Sequence, residues 1–251
     1  MTEESFAAST QKKLLDKKTS LLGKYSMLFL GRKSLLGLLK FELINLCVSW
    51  VPGALGLTLR KIFYPMLIGR VGRGVVFGQN VTLRHPHKIR IGDQTVIDDY
   101  AVLDAKGESN DGITIGANAF IGRNSILSCK EGSIRLADYC NVSANCMLLS
   151  ETEVSLGKHC FLAGNCYLVA GGNHSFDRPD VPIMFQPSYS KGGIRIEDDC
   201  WLGAGAIVLD GVTIGHGSVV GAGSVLTKPL PEYSVAVGSP ARRIRDRRNK
   251  E

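Results

Sequence analysis

The sequence offers no unbroken apolar run of membrane-spanning length. Leu43 to Leu59 carries no charge over seventeen residues, but Pro52-Gly53 interrupts it. A spanning helix needs about twenty apolar residues in a row. The first twenty residues are polar and Lys-rich without an early apolar core, so no cleavable signal peptide is expected. No Walker-type phosphate loop is present, which leaves Gly221-Ala222-Gly223-Ser224 as a pair of tight corners. The net charge of +7 comes without any recognised nucleic-acid motif. Histidine is scarce, with five in 251 residues.

What is present is a repeat. The phrase Ile89-Arg90-Ile91-Gly92 returns in altered form from Ile113, Ile134, Val154, Ile194 and Val212. Each copy starts hexads with an aliphatic residue first and a small residue fifth. The leaders run Ile91, Ile97, Leu103; Ile115, Ile121, Leu127; Leu136, Val142, Leu148; Leu156, Leu162, Leu168; Ile196, Leu202, Val208; Ile214, Val220, Leu226. A strict six fits neither the two-residue period of a strand nor the 3.6 of a helix. Three hexads per turn predict a triangular parallel β-helix, an all-β solenoid with an N-terminal helical extension. Gly78 and Leu83 suggest a degenerate first coil near Phe77. The expected divisions are an apolar, basic extension over 1–73, the solenoid over 74–229 and a basic tail over 230–251.

The register assigns several residues at once. Cys140, Cys146, Cys160, Cys166 and Cys200 all occupy the fifth position, where other coils carry Ala or Ser. They read as small buried groups and reduced thiols. His159 and His216 fall at the fourth and third positions and are expected to face solvent. Successive repeats start more than two turns apart only once, between Leu156 and Ile196, and that gap contains the loop 170–193. A loop that long inside a solenoid is usually functional, and it holds His174. An imidazole there is suited to taking a proton near neutral pH. No second histidine neighbours it, so no metal site is expected.

Charge collects at the ends. Residues 1–73 balance at +8 and 241–251 at +4, leaving −5 between. Such asymmetry points to a surface or partner at the ends. The extension carries Trp50, Phe63 and Tyr64 beside Arg60 and Lys61, the pattern of interfacial helices. It can equally cap the open end of the solenoid, which stacked repeats need; both readings stand.

From about residue 75 to 245 the chain resembles the hexapeptide-repeat acyltransferases with a left-handed parallel β-helix. The resemblance is carried by Asp199–Gly215, Val220–Lys228 and Gly238–Arg245. The loop Gly171-Gly172-Asn173-His174-Ser175-Phe176-Asp177 is most similar to the xenobiotic (streptogramin) acetyltransferase branch. This resemblance implies an acetyl-CoA-dependent homotrimer with active sites between subunits and His174 as general base. Trp201, Ala204, Ala222, Thr227, Lys228, Arg242 and Arg245 would hold the coenzyme. Ser143 and Asn145 stand near the position of a galactoside-branch asparagine, and His159 where serine acetyltransferases carry a partner aspartate. The orienting partner of His174 is thus left to Asp177 or a loop carbonyl, with Asn173 beside it. The expected reaction is O-acetylation of a sugar in a surface polysaccharide or lipid-linked glycan, the acceptor a carbohydrate or glycolipid. The alternative is a soluble antibiotic-modifying acetyltransferase. The expected location is cytoplasmic, with contact to the inner face of the cell membrane through the extension.

Overall fold

The computed structural model describes residues 20–249. Three short helices lead into a parallel β-solenoid with three faces of seven, nine and seven strands. All eighteen hexad leaders are buried in one continuous core. Successive coils stack leader on leader. Ile91 pairs with Ile115, Ile97 with Ile121 and Leu103 with Leu127, and the pattern holds through Val208 and Leu226.

The hexad explains the corners. On the first two faces its fourth residue sits in the left-handed region, with φ from 54° at Asn80 to 71° at Gly74. Asparagine and glycine accept that conformation most readily, and Asn80, Asn118, Asn124, Asn145 and Asn165 all stand there. Asn145 and His159 are therefore corner residues. His159 is exposed and stacks on the Tyr139 ring of the preceding coil, centroids 4.9 Å apart. His216 meets the Tyr233 ring edge-on.

The fifth position is more than small. Thr95 Oγ1 donates to Gly116 O at 2.7 Å and Ser125 Oγ to Ser143 O at 2.8 Å. Cys140 and Cys160 Sγ repeat the contact at 3.0 Å each, to Gly157 O and Glu197 O. The thiols thus serve as donors up the stack, in place of the expected inert packing groups.

Faces must keep register, so extra residues can enter only at corners. Here they enter at one corner, between the third face and the first. The connections there are 85–88, 105–112, 130–132, 151–152, 171–193 and 210–212. The loop that carries His174 is the largest member of that series.

Both solenoid ends extend past their expected limits. The first coil opens at Arg70–Val71, ahead of residue 74, with Val71 paired to Ile91. Its fifth positions are Val75 and Val81, both buried, and these larger residues disguise the hexad. At the other end Leu230 bridges to Ile214, and Ser234–Gly238 adds a strand beside Val219–Val220. Ala241–Asp246 then folds back antiparallel, so this part of the basic tail is an edge strand.

The helices form the cap. Helix α1 (Leu21–Leu30) starts at Ser20, whose Oγ accepts from Gly23 N, and α2 (Leu35–Ile44) starts likewise at Ser34. A short π-turn, Asn45–Ser49, ends α2 before Pro52 opens α3 (Gly53–Phe63). Leu30, Leu38, Phe41, Ile44 and Val48 join the solenoid core. Arg60 and Tyr64 are buried too, against their expected place in an interfacial belt. The Tyr64 ring packs edge-on to Phe77 of the first coil, and burial pushes its hydroxyl up to about 12.

Candidate active site

The loop 170–193 is built as a rigid arm. Asn173–His174 pairs antiparallel with Ser188–Tyr189, and Ser175 N donates to Pro187 O at 2.9 Å. The loop tip carries its own buried polar centre. Gln186 Nε2 donates to Arg178 O at 2.8 Å and to Val181 O at 2.9 Å.

Asp210 clasps the base of the arm. Its carboxylate accepts from Lys191 N at 2.5 Å, Gly193 N at 2.8 Å, Asn173 Nδ2 at 2.8 Å and Ser190 Oγ at 3.1 Å. Both strands of the arm thus hang on one buried carboxylate. Sequence reading missed it, although a signal exists. Asp210 is third in its hexad, in a column that carries the small buried residues Ala105, Cys129, Ser150 and Ala170 in the four coils before it. A carboxylate in such a column needs donors from outside the repeat. Gln186 carries no comparable signal.

Asp210→Ala is expected to free residues 171–193 while the coils stay folded. Several charge-assisted bonds at about 1.5 kcal/mol or more each would be lost. Hydrogen exchange should rise in that segment alone; unchanged protection there would contradict the clasp.

His174 is exposed at the end of this clasped pair, and its imidazole has no hydrogen-bond partner among the described residues. The Asp177 carboxylate accepts from Ser175 Oγ at 3.0 Å. Asn173 faces inward to Asp210. A second carboxylate lies close by. A Cβ on Gly172 would come within 3.7–3.9 Å of the Glu151 carboxyl group, and one on Gly171 within 2.6 Å of its Cβ. Glycine at 171, with φ 106°, is thus enforced by both conformation and space. Thr227 and Lys228 occupy the same corner, two coils further on.

The remaining candidates assemble elsewhere. Trp201 lies on the second face, half exposed, paired with Phe161 of the coil before and Val219 of the coil after. A groove of about 390 Å³ runs over them, bounded by His159, Arg245 and Arg247. Ala204 and Ala222 stack at the adjoining corner, where Gly223 N donates to Ala204 O at 2.8 Å. Ser143 and Asn145 belong to that same corner, lower in the stack.

Cation pairing separates the arginines of the edge strand. Arg243 pairs with Asp246, Arg248 with Asp246 and Glu232, and Arg247 with Asp199. Arg242, Arg245 and Lys228 have no anionic partner among the described residues. They are the three cations expected to meet phosphates.

The candidate residues therefore fall into two groups on one chain. His174, Asn173, Asp177, Thr227 and Lys228 gather at the corner between the third and first faces. Trp201, Ala204, Ala222, Arg245, Ser143 and Asn145 gather on and beside the second face, which lies opposite. Among the described residues no three His, Cys, Asp or Glu side chains are placed to hold a metal ion.

Comparison with known proteins places this architecture. A family model described as the hexapeptide repeat of succinyl-transferase matches residues 112–150 and 193–228, the coils on either side of the arm. A galactoside O-acetyltransferase of Lactococcus lactis is 33% identical over 141 residues, covering 53% of this chain and 63% of that one. A protein of Mycobacterium tuberculosis named a probable acetyltransferase is 32% identical over 135 residues, covering 54% and 44%. The chain thus spans less than two thirds of either relative. Among solved structures it is similar to AntD, an N-acyltransferase of Bacillus cereus in complex with dTDP and 3-hydroxybutyryl-CoA. That likeness has a TM-score of 0.52 at 22% identity, over 80% of this chain and 91% of that one. The chain has the left-handed hexapeptide-repeat β-solenoid fold of acyltransferases.

Proposed function

We propose that this protein transfers an acyl group, acetyl above all, from coenzyme A to a hydroxyl of a carbohydrate, with His174 as general base. The observation that carries the reading is the clasped arm. It anchors the backbone beside His174 through four interactions with Asp210 and leaves the imidazole with unspent hydrogen-bonding capacity.

The second half-site fits the donor. Trp201 and Phe161 offer adjacent flat apolar surfaces, and Ala204 and Ala222 leave the backbone open to a long thin arm. Arg242 and Arg245 supply unneutralised charge there for phosphates, and Lys228 would add to it from the arm corner of a neighbouring copy. Bound there, an acyl thioester supplies an activated carbonyl. His174 takes the proton from the acceptor hydroxyl as its oxygen attacks that carbonyl carbon. The carbon–sulfur bond then breaks, and His174 returns the proton to sulfur. The N–H groups of Gly203, Gly205 and Ala206 are spent on carbonyls of the solenoid, which leaves the Ala204 N–H as the backbone donor on this side for the developing oxyanion, a contribution of about 3 kcal/mol.

Because the half-sites lie on opposite sides of one chain, the complete site requires a second copy. A homotrimer, with each arm reaching a neighbour's second face, satisfies this. The exposed apolar tip of the arm (Phe176, Ile183, Met184) supports such a reach.

The acceptor is proposed to be a sugar of a surface polysaccharide or lipid-linked glycan. The galactoside O-acetyltransferase relative supports a carbohydrate.

Titration with coenzyme A, followed by calorimetry, tests the donor half. Trp201→Ala and Arg245→Ala are each expected to weaken binding by about tenfold, the loss of an aromatic face or one charge-assisted bond. Wild-type protein that binds no coenzyme A would end the proposal.

A further inference from the structure

The cap leaves a second apolar surface unused. Helix α2 and its π-turn bury Leu38, Phe41, Ile44 and Val48 against the solenoid. Their opposite side presents Leu36, Leu39, Leu43, Leu46 and Trp50, at alternating spacings of three and four. That spacing draws a second continuous stripe along the helix. Leu36 is 83% and Leu46 71% exposed, and Trp50 is 59% exposed with its indole donating to Leu46 O. Helix α3 adds Leu55 and Ile62, and Met66 follows it. Lys40 Nζ, on the outer side of α2, donates to Met66 O and ties the two stripes together. A bare apolar patch of this kind needs a partner.

Charge selects the partner. Lys24, Arg32, Lys33 and Lys61 flank the stripes without anionic partners among the described residues. The single acidic residue of the described helices, Glu42, accepts from Tyr25 OH at 2.6 Å. A second copy of this surface would bring like charges together. No helix among the described residues is long and apolar enough to cross a membrane.

We infer that this face of the cap docks on an anionic lipid bilayer, its leucines and Trp50 lying at the acyl boundary and its cations among the head groups. Apolar stripe, aromatic edge and basic rim are the elements of an interfacial helix. The inference is independent of the acyltransferase reading, because it uses none of the residues of either half-site.

Flotation of the full chain with vesicles tests it. Phosphatidylcholine vesicles containing phosphatidylglycerol should carry the protein upward, pure phosphatidylcholine much less, and added salt should release it. Leu36→Ser/Leu43→Ser/Leu46→Ser should cut the bound fraction by roughly tenfold or more, given the apolar area withdrawn from lipid. These side chains face solvent, so the melting temperature and coenzyme binding should stay as in wild type. Arg32→Glu/Lys33→Glu/Lys61→Glu should abolish the preference for anionic vesicles. The inference is overturned if wild type floats with neither vesicle or if the serine variant floats equally well. It is also overturned if that variant changes only the mass of the assembly, which would make the face a contact between copies.

Discussion

His174→Ala is expected to lower turnover by about 10²–10⁴-fold, the usual contribution of a positioned general base. In activation free energy that is about 3–5 kcal/mol. Coenzyme binding should survive, because Trp201 and Arg245 stand on the far side of the same chain from His174. The fold should survive as well, because the imidazole bonds to nothing within the described chain. The arm is held by Asn173, Ser190, Lys191 and Gly193 on Asp210, and the substitution leaves those bonds in place. His159 is the natural control. It lines the Trp201 groove, but it occupies a left-handed corner and stacks on Tyr139. His159→Asn keeps a residue suited to that corner and should change turnover by no more than a few-fold. If His159→Asn abolished transfer while His174→Ala retained it, the base would have to be reassigned.

Arg60→Met is expected to be the most damaging substitution outside the half-sites. The side chain is 2% exposed, yet no carboxylate meets it. Its Nε donates to Phe77 O at 2.9 Å, and its Nη1 donates to Val51 O at 2.7 Å and reaches Val48 O and Ser49 O at 3.3 and 3.4 Å. Those last carbonyls lie at the C-terminal end of the first long helical segment, where partial negative charge gathers and partners are lacking. One guanidinium thus caps the π-turn and bolts it to the first coil. Gly56 makes room for this: a Cβ there would stand 1.8 Å from Val51 O. Methionine fills the space but satisfies none of the carbonyls. With charge-assisted bonds at about 1.5–3 kcal/mol each, the loss should reach about 3 kcal/mol or more. In a chain of this size that lowers the melting temperature by roughly 6–12 °C. Thermal melts and limited proteolysis before residue 70 would read the effect. An unchanged melt with an equally protected cap would refute the role.

Much of this was legible in the sequence because the repeat is a local code. A hexad states in six letters which residue is buried, which turns the corner and which must be small. The leaders from Ile91 through Leu226 are aliphatic and buried without exception, and the one long interruption is the arm that carries His174. What escaped was set by partners distant in sequence. Asp210 is an ordinary Asp-Gly turn until Asn173 and Gly193 arrive beside it. Arg60 looks like a cation at a membrane edge until Val48 and Phe77 present their carbonyls. The first and last coils were under-read because Val75, Val81 and Ala236 depart from the expected size at their positions, where cap and edge strand replace a neighbouring coil. The separation of His174 from Trp201 needed the third dimension, since it depends on which face each hexad occupies.

The central claim is that this solenoid moves an acyl group from coenzyme A to a sugar hydroxyl through His174. The most direct measurement is release of free coenzyme A thiol from acetyl-CoA across a panel of oligosaccharide and glycolipid acceptors, with mass spectrometry of each acceptor. Thiol release that depends on acceptor, matched by one acetyl group gained on oxygen and lost in His174→Ala, is the predicted result. Acetyl-CoA that binds but is never discharged to any hydroxyl, or equal discharge by His174→Ala, would contradict it.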